Sequence, residues 1–363
     1  MRSSSEDPFS NVDIQQDQTI LLDTGRFGWV WAVAFHPDGE HVLGGNEDGI
    51  RRWRLADGLE VGKQTGMVVQ AISVSSDNKW IVCGTDDAGA SVWDGKLQEK
   101  VIDVEGESTV DAVEVSPDST RFATGTRTKQ ASIWSITTGQ RLVGPLEHDD
   151  WVTGVRFSPN GERIATACPE IRIFDSRTGD KLVAINGLTL GFGAATPIAW
   201  SSDGQHIFTA SSDKNIKAFD ACTGTQLAES DILHGANGDY GLPIALATNG
   251  KVIAACTYYS ISLLDASTLA RIGPAIVGND AIWSIAISPD RTRLATGQRE
   301  GKIVIRDLAK ILPESYGPIN VSICALPRSV PNVDKLCRYL LRKKLNQRSS
   351  PGTTSVKDLA PPQ

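Results

Sequence analysis

The feature that most constrains how this 363-residue chain folds is a short pattern that recurs seven times. Its clearest copy is Trp151-Val-Thr-Gly-Val-Arg-Phe-Ser-Pro-Asn-Gly161, followed by apolar runs at 164–168 and 171–175. The turn residue of the pattern recurs at Asp38, Asp77, Asp118, Asn160, Asp203, Asn249 and Asp290, with spacings of 39, 41, 42, 43, 46 and 41 residues. That period is the length of a four-stranded β unit repeated around a ring. Each unit of such an array touches only its neighbours, so the whole counts as one domain despite its length.

The last copy shows how a unit is built. Ile282-Trp-Ser-Ile285-Ala-Ile287 alternates as a half-buried strand does. Ser288-Pro-Asp-Arg291 supplies turn chemistry, because Pro presets φ and Asp hydrogen-bonds its own backbone two residues on. A second strand follows at 294–297 and a third at 302–307. Earlier units continue through Thr138-Gly139, Thr178-Gly179 or Thr223-Gly224 into a fourth, outer strand. The seventh lacks one, since Pro313 and Pro318 break the chain after Asp307. The missing strand is available at 18–23, upstream of the first unit, and its pairing with 302–307 closes the ring and removes exposed sheet edges.

These residues resemble a WD40-repeat β-propeller. The Trp-Asp ending of that family's third strand is intact as Trp93-Asp94. It is eroded to Trp53-Arg54, Trp134-Ser135, Phe174-Asp175, Phe219-Asp220, Leu264-Asp265 and Arg306-Asp307. His148 matches the family's Gly-His dipeptide in register, with Glu147 in place of Gly. The family's Asp–His–Ser–Trp network is therefore incomplete in most units. In this erosion the repeats are similar to divergent WD40 arrays abundant in fungi, a likeness that carries no function. The resemblance implies an all-β, seven-bladed WD40-type propeller over 18–307, closed by the N-terminal strand and followed by a basic C-terminal tail.

The resemblance also implies where to look for a site. One position lies just before the small residue that starts each first strand, near the channel mouth in a WD40 ring. It holds Trp31, Gln70, Asp111, Thr153, Thr196, Leu242 and Trp283. The two tryptophans belong to units that closure makes neighbours, and Trp29 stands close by. A tryptophan patch rimmed by polar groups suits a peptide-binding hot spot, and the same rings equally suit packing between blades. The loops leading into units five (186–194) and six (230–241) are longer than the repeat needs. They carry Phe192, His234 and Tyr240, which are either specificity residues or neutral insertions.

Composition narrows the class of work. With 40% apolar and 22% charged residues, the chain can build a core, and no apolar stretch nears the ~18–20 residues of a membrane span. Residues 1–8 lack the apolar centre of a secretory signal, so a cytoplasmic or nuclear protein is expected. The six cysteines never form Cys-x-x-Cys, and Cys83, Cys168 and Cys256 fall in predicted strands, which reads as reduced, buried thiols. The net charge of −7 divides into +6 over 308–363 and −13 before it. An acidic ring repels phosphates, which argues against non-specific nucleic-acid binding.

Beyond the ring, 308–332 carries four prolines and reads as a linker with a short turn at 308–312. Residues 333–345 place apolar side chains on one helical stripe with Lys335, Arg338, Arg342 and Lys343 around it. This basic amphipathic helix suits docking on the acidic ring, an acidic partner or an anionic surface. Residues 1–17 and 346–363 are expected to be disordered.

No catalytic constellation is assembled. The five histidines are dispersed, with His36 and His206 expected to be solvated beside turns, and there is no nucleophile elbow, Walker-type loop or HExxH. The expected function is a non-enzymatic scaffold that binds peptide or protein partners on its loop face, without cofactor, metal or small-molecule substrate. Two alternatives remain open. One is an adaptor acting through the basic helix. The other is a substrate receptor of a ubiquitin-ligase complex, because Phe174-Asp175-Ser176-Arg177 loosely resembles the Trp-Asp-x-Arg ending that docks to cullin adaptors.

Overall fold

Period-two alternation punctuated by Ser-x-Asp turns produces seven four-stranded antiparallel sheets arranged as the blades of one propeller. The computed structural model describes residues 18–316 apart from 26–27, 87–88, 107, 187–197, 211–214, 234–244, 249, 258, 279 and 314–315. Blades 1 to 6 are consecutive in sequence, at 32–65, 69–105, 110–147, 154–185, 198–229 and 245–277. Blade 7 takes three strands from 282–307 and its outermost from Gln18–Asp23. That strand runs antiparallel to Lys302–Asp307, with Leu22 opposite Ile303 and Gln18 opposite Arg306. Leu22 is 2% exposed and packs with Val30, Trp53 and Ile305, so closure joins blade 7 to blade 1 through core as well as through hydrogen bonds.

The turns repeat one hydrogen-bonding device. In blades 2, 3, 5 and 7 the hydroxyl of Ser75, Ser116, Ser201 or Ser288 donates to the carboxylate two residues on, at 2.5–2.7 Å. That carboxylate also accepts a backbone N–H of the turn, as Asp118 does from Thr120. Partial burial raises the Asp118 and Asp290 pKa values, but these hydrogen bonds outweigh it and hold both below the ordinary value. Their contribution to stability is therefore complete above about pH 4 and fades as acid protonates the folded carboxylates.

Seams between blades 3, 4 and 5 rest on buried or half-buried donors from the second strands. Arg121 of blade 3 donates to the Ser176 and Gly161 carbonyls of blade 4, at 2.8 and 3.1 Å. Arg163 repeats this one blade on, reaching Ala221 and Gly204 and lying 5.0 Å from the Trp200 ring centroid. In blade 1 His36 takes a similar role. It is 3% exposed, its Nε2 lies 3.2 Å from the Gly95 carbonyl oxygen, and burial lowers its pKa. The expectation that His36 is solvated fails, because the residue before the turn points into the seam with blade 2. Cys83, Cys168 and Cys256 are buried thiols as expected.

After Asp307, whose side chain caps the short helix Leu308–Ile311, the chain turns back onto blades 6 and 7. Leu308 and Leu312 enter their core, and the Tyr316 hydroxyl donates to Asp265 Oδ2 at 2.9 Å. The basic helix expected at 333–345 and the segments flanking it lie outside the described residues. So do residues 1–17. Among the described residues no helix is long and apolar enough to cross a membrane.

If the ring is closed by this strand, Leu22→Asp places a charge in the blade 7–1 core and should lower stability by about 3 kcal/mol or more. Deletion through Asp23 should lower the melting temperature further and promote association through the freed edge of 302–307. An unchanged melting curve in both variants overturns the closure argument.

Candidate interaction face

Each first strand begins at the same register, and the backbone there decides which side chain meets the loop face. In blades 2, 3 and 7 the ladder skips one residue between Val69 and Ala71, between Val110 and Ala112, and between Ile282 and Ser284. The skipped residues are Gln70, Asp111 and Trp283. A bulge of this kind turns its side chain away from the sheet. In blades 1 and 4 the equivalent residues, Trp31 and Thr153, precede the strand and donate their N–H groups to the Gly45 and Ala167 carbonyls. All five side chains are half-buried. Thr196 and Leu242 lie outside the described residues, as do Phe192, His234 and Tyr240 of the two longer loops.

At the closure seam the structure brings Trp29 and Trp283 together, with ring centroids 4.7 Å apart and planes tilted by 56°. The Arg299 guanidinium lies 6.0 Å from the Trp29 centroid and 4.0 Å from Asp280. Asp280 in turn accepts the Glu300 N–H at 2.8 Å. The Val30 N–H bonds to Gln298 O, and the Ser284 hydroxyl bonds to Val30 O. The pair is thus held by backbone contacts between blades 1 and 7. Trp31 shares the segment, but its paired ring is not Trp283, since Trp29 occupies that place.

The same register recurs at blades 3 and 4, where the Val152 N–H bonds to Thr126 O. Trp151 then corresponds to Trp29, Arg127 to Arg299 and Asp111 to Trp283. Arg127 forms a forked pair with Asp111, at 3.0–3.2 Å, and lies 5.2 Å from the Trp151 centroid. Burial raises the Asp111 pKa; the Arg127 hydrogen bonds oppose that and nearby Asp86 adds to it. Trp151 is 43% exposed, the most open tryptophan among the large exposed apolar residues. Sequence reasoning used Trp151 to find the repeat and did not assign it to the face. Its alignment with Trp29 was the signal available.

The central channel holds a charged pair that the sequence analysis does not single out. Innermost strands of all seven blades line a cavity of about 370 Å³, and within it Glu114 of blade 3 faces Arg156 of blade 4 at 3.7 Å. Glu114 also accepts the Phe157 N–H. Its side chain keeps 22% of its surface open, but only to the lumen. Burial pushes its pKa up to about 7 against the opposing effects of Arg156 and the Phe157 N–H. Glu114 and Arg156 each sit between two apolar residues, so their alternation reads as an ordinary solvent-facing position.

A carboxyl whose folded pKa exceeds its ordinary 4.5 costs stability as pH rises between the two values, because the folded state holds the proton more tightly. Glu114→Gln should therefore gain stability relative to the wild type as pH rises from about 4.5 to 7, by up to about 3 kcal/mol. Thermal unfolding across that range reads the difference. A flat difference overturns the assignment of a raised carboxyl.

The comparisons with known proteins agree with the repeat fold. The family model for the WD40 repeat (WD domain, G-beta repeat) matches residues 18–53, 60–94, 140–175, 198–220 and 274–307. WD repeat-containing protein 1 of Rattus norvegicus is 42% identical over 76 residues, which is 20% of this chain and 12% of that protein. Its Xenopus tropicalis counterpart is 28% identical over 171 residues, 43% of this chain and 26% of that protein. The small ribosomal subunit protein RACK1z of Oryza sativa subsp. japonica is 31% identical over 88 residues, 24% of this chain and 26% of that protein. The alignments thus span only 12–26% of these relatives' lengths. Five matched repeats, seven four-stranded blades and a strand-closed ring place the chain in the WD40-repeat family.

Proposed function

We propose that the chain is a non-enzymatic protein-interaction scaffold that holds a peptide or protein segment against the seam between blades 7 and 1. The observation that carries this reading is the contact of two half-buried tryptophans, Trp29 and Trp283, at the position where the first strands meet the loop face. Large aromatic rings held by a rigid scaffold offer a partner apolar area at low entropic cost, and tryptophan dominates the energetics of such sites. Arg299, Asp280 and Glu300 form a charged rim that favours one orientation of the partner more than it adds affinity. In Phe174-Asp175-Ser176-Arg177 the Asp175 carboxylate accepts the Arg177 and Thr178 N–H groups, which gives that stretch a turn-forming role and supports the scaffold reading over cullin docking.

The test is affinity purification with mass spectrometry on the full chain. It compares the wild type with Trp29→Ser/Trp283→Ser and with a chain ending at residue 332, after melting curves are matched. The scaffold reading expects a partner lost from the double variant, with affinity down by about 30-fold or more, and retained by the shortened chain. A partner lost only on shortening, and more readily in high salt, assigns recognition to the basic segment instead.

A further inference from the structure

The blades differ in what fills the gap between one blade's outer strand and the next blade's second and third strands. In blade 4 the gap is filled by His148, which is 7% exposed. Its Nδ1 lies 2.8 Å from the Leu146 carbonyl and so carries the proton, leaving Nε2 to accept the Thr166 hydroxyl at 2.7 Å. Phe174 closes the far side, with its centroid 5.8 Å from the imidazole. Burial, ahead of smaller effects, lowers the His148 pKa to about 4, so the ring is neutral at pH 7.

Blade 3 has the same gap and no histidine. Counting back from the matched valines, Val152 and Val110, sets Gly106 where blade 4 has His148. The ladders match as well. Thr124 stands opposite Val113 as Thr166 stands opposite Val155, and Val104 stands opposite Ala90 as Leu146 stands opposite Ala131. A cavity of about 370 Å³ opens there, bordered by Val104, Gly106, Thr124 and Trp134. The Trp134 Nε1–H donates to Thr124 Oγ1 at 2.9 Å, which leaves the Thr124 hydroxyl proton available to an acceptor in the cavity. Both of the groups that hold His148 in blade 4 thus have counterparts here, a carbonyl acceptor and a threonine hydroxyl, with an indole in place of Phe174.

We propose that this cavity between blades 2 and 3 is a receptor for an imidazole ring, supplied in trans by a histidine side chain of a protein partner. The ring enters in the orientation of His148. One ring N–H donates to the Val104 carbonyl, the other nitrogen accepts from Thr124, and Trp134 covers the face. The site lies beside the blade edge and is independent of the tryptophan seam.

Titration of the full chain by isothermal calorimetry and Trp fluorescence tests this with three probes: imidazole, the tripeptide Gly-His-Gly, and Gly-Phe-Gly. Saturable binding of imidazole and Gly-His-Gly is expected, with Gly-Phe-Gly inert. Thr124→Val should weaken both by about tenfold, the worth of one hydrogen bond to a neutral partner. Gly106→His fills the cavity from within, so it should abolish binding and raise the melting temperature. Binding that both variants leave intact overturns the assignment, and so does imidazole binding without Gly-His-Gly binding. If Thr124→Val fails to fold, Gly106→His decides by itself, and retained binding there overturns the proposal.

Discussion

The pairing of Gln18–Asp23 with Lys302–Asp307 is the interaction on which the rest of the ring depends. Six blades are covalently continuous and form by local hairpins; the seventh exists only when the chain's two ends meet. Loop-closure entropy grows slowly with length, so joining strands some 280 residues apart costs little more than joining strands half as far apart. What closure adds is a constraint shared by every seam. With Leu22 in the core of blades 7 and 1, the outer edge of Lys302–Asp307 is covered, and the first strands surround one channel at a common register. The loop face inherits its geometry from that register. Trp29 and Trp283 meet because closure brings residues more than 250 positions apart into adjacent blades.

Within blades, the family's side-chain network has eroded, and the ring is held by other means. The second-strand position that carries threonine in blades 3, 4, 5 and 7 is Gly44, Cys83 and Ala255 elsewhere. Where it is Cys83, the Trp93 indole turns to Ser91 instead, at 2.9 Å. In blade 7 the buried Arg306 takes the tryptophan's place and donates to Thr296 at 3.0 Å. Burial alone lowers its pKa to about 10, so it remains charged at neutral pH. Seam contacts from Arg121, Arg163 and His36 cross between blades and do not need the network. A repeat array distributes stability over such interfaces, which is how units with poor internal agreement persist in an intact ring.

Topology was legible because it rests on local signals that survive erosion. The Ser-x-Asp turns, the alternation and the absent fourth strand after Asp307 were enough to predict seven blades and the strand that closes them. The tryptophan cluster was legible in part. Blade closure predicted its neighbourhood, but Trp29 and Trp31 stand two residues apart and share a face by alternation, so the pattern alone does not choose between them as the partner of Trp283. Glu114 and Arg156 were hidden for a related reason. A residue facing a wet channel has the same alternation as one facing solvent, and only the closed ring distinguishes the two. His36 was misread because it stands beside a turn, where sequence indicates exposure while the neighbouring blade covers the side chain.

The loop face separates constant geometry from variable chemistry. One backbone position per blade, set by the same bulge or its equivalent, presents Trp31, Gln70, Asp111, Thr153 and Trp283 in five blades. The sheets fix where these side chains sit, so the chemistry at this position varies from blade to blade while the backbone geometry stays constant. The two tryptophan–arginine pairs occupy the 7–1 and 3–4 seams, three blades apart in a ring of seven and thus nearly as distant as the architecture permits. A partner that touches both must cross the channel mouth, and its second contact then forms at a high effective concentration set by the first. A partner short enough to touch one seam leaves the other open to a different ligand. The pairs also differ in character. At 7–1 two rings share an apolar surface, whereas at 3–4 the forked Asp111–Arg127 pair holds the charge beneath a single open ring. The first favours apolar burial and the second a directed polar contact.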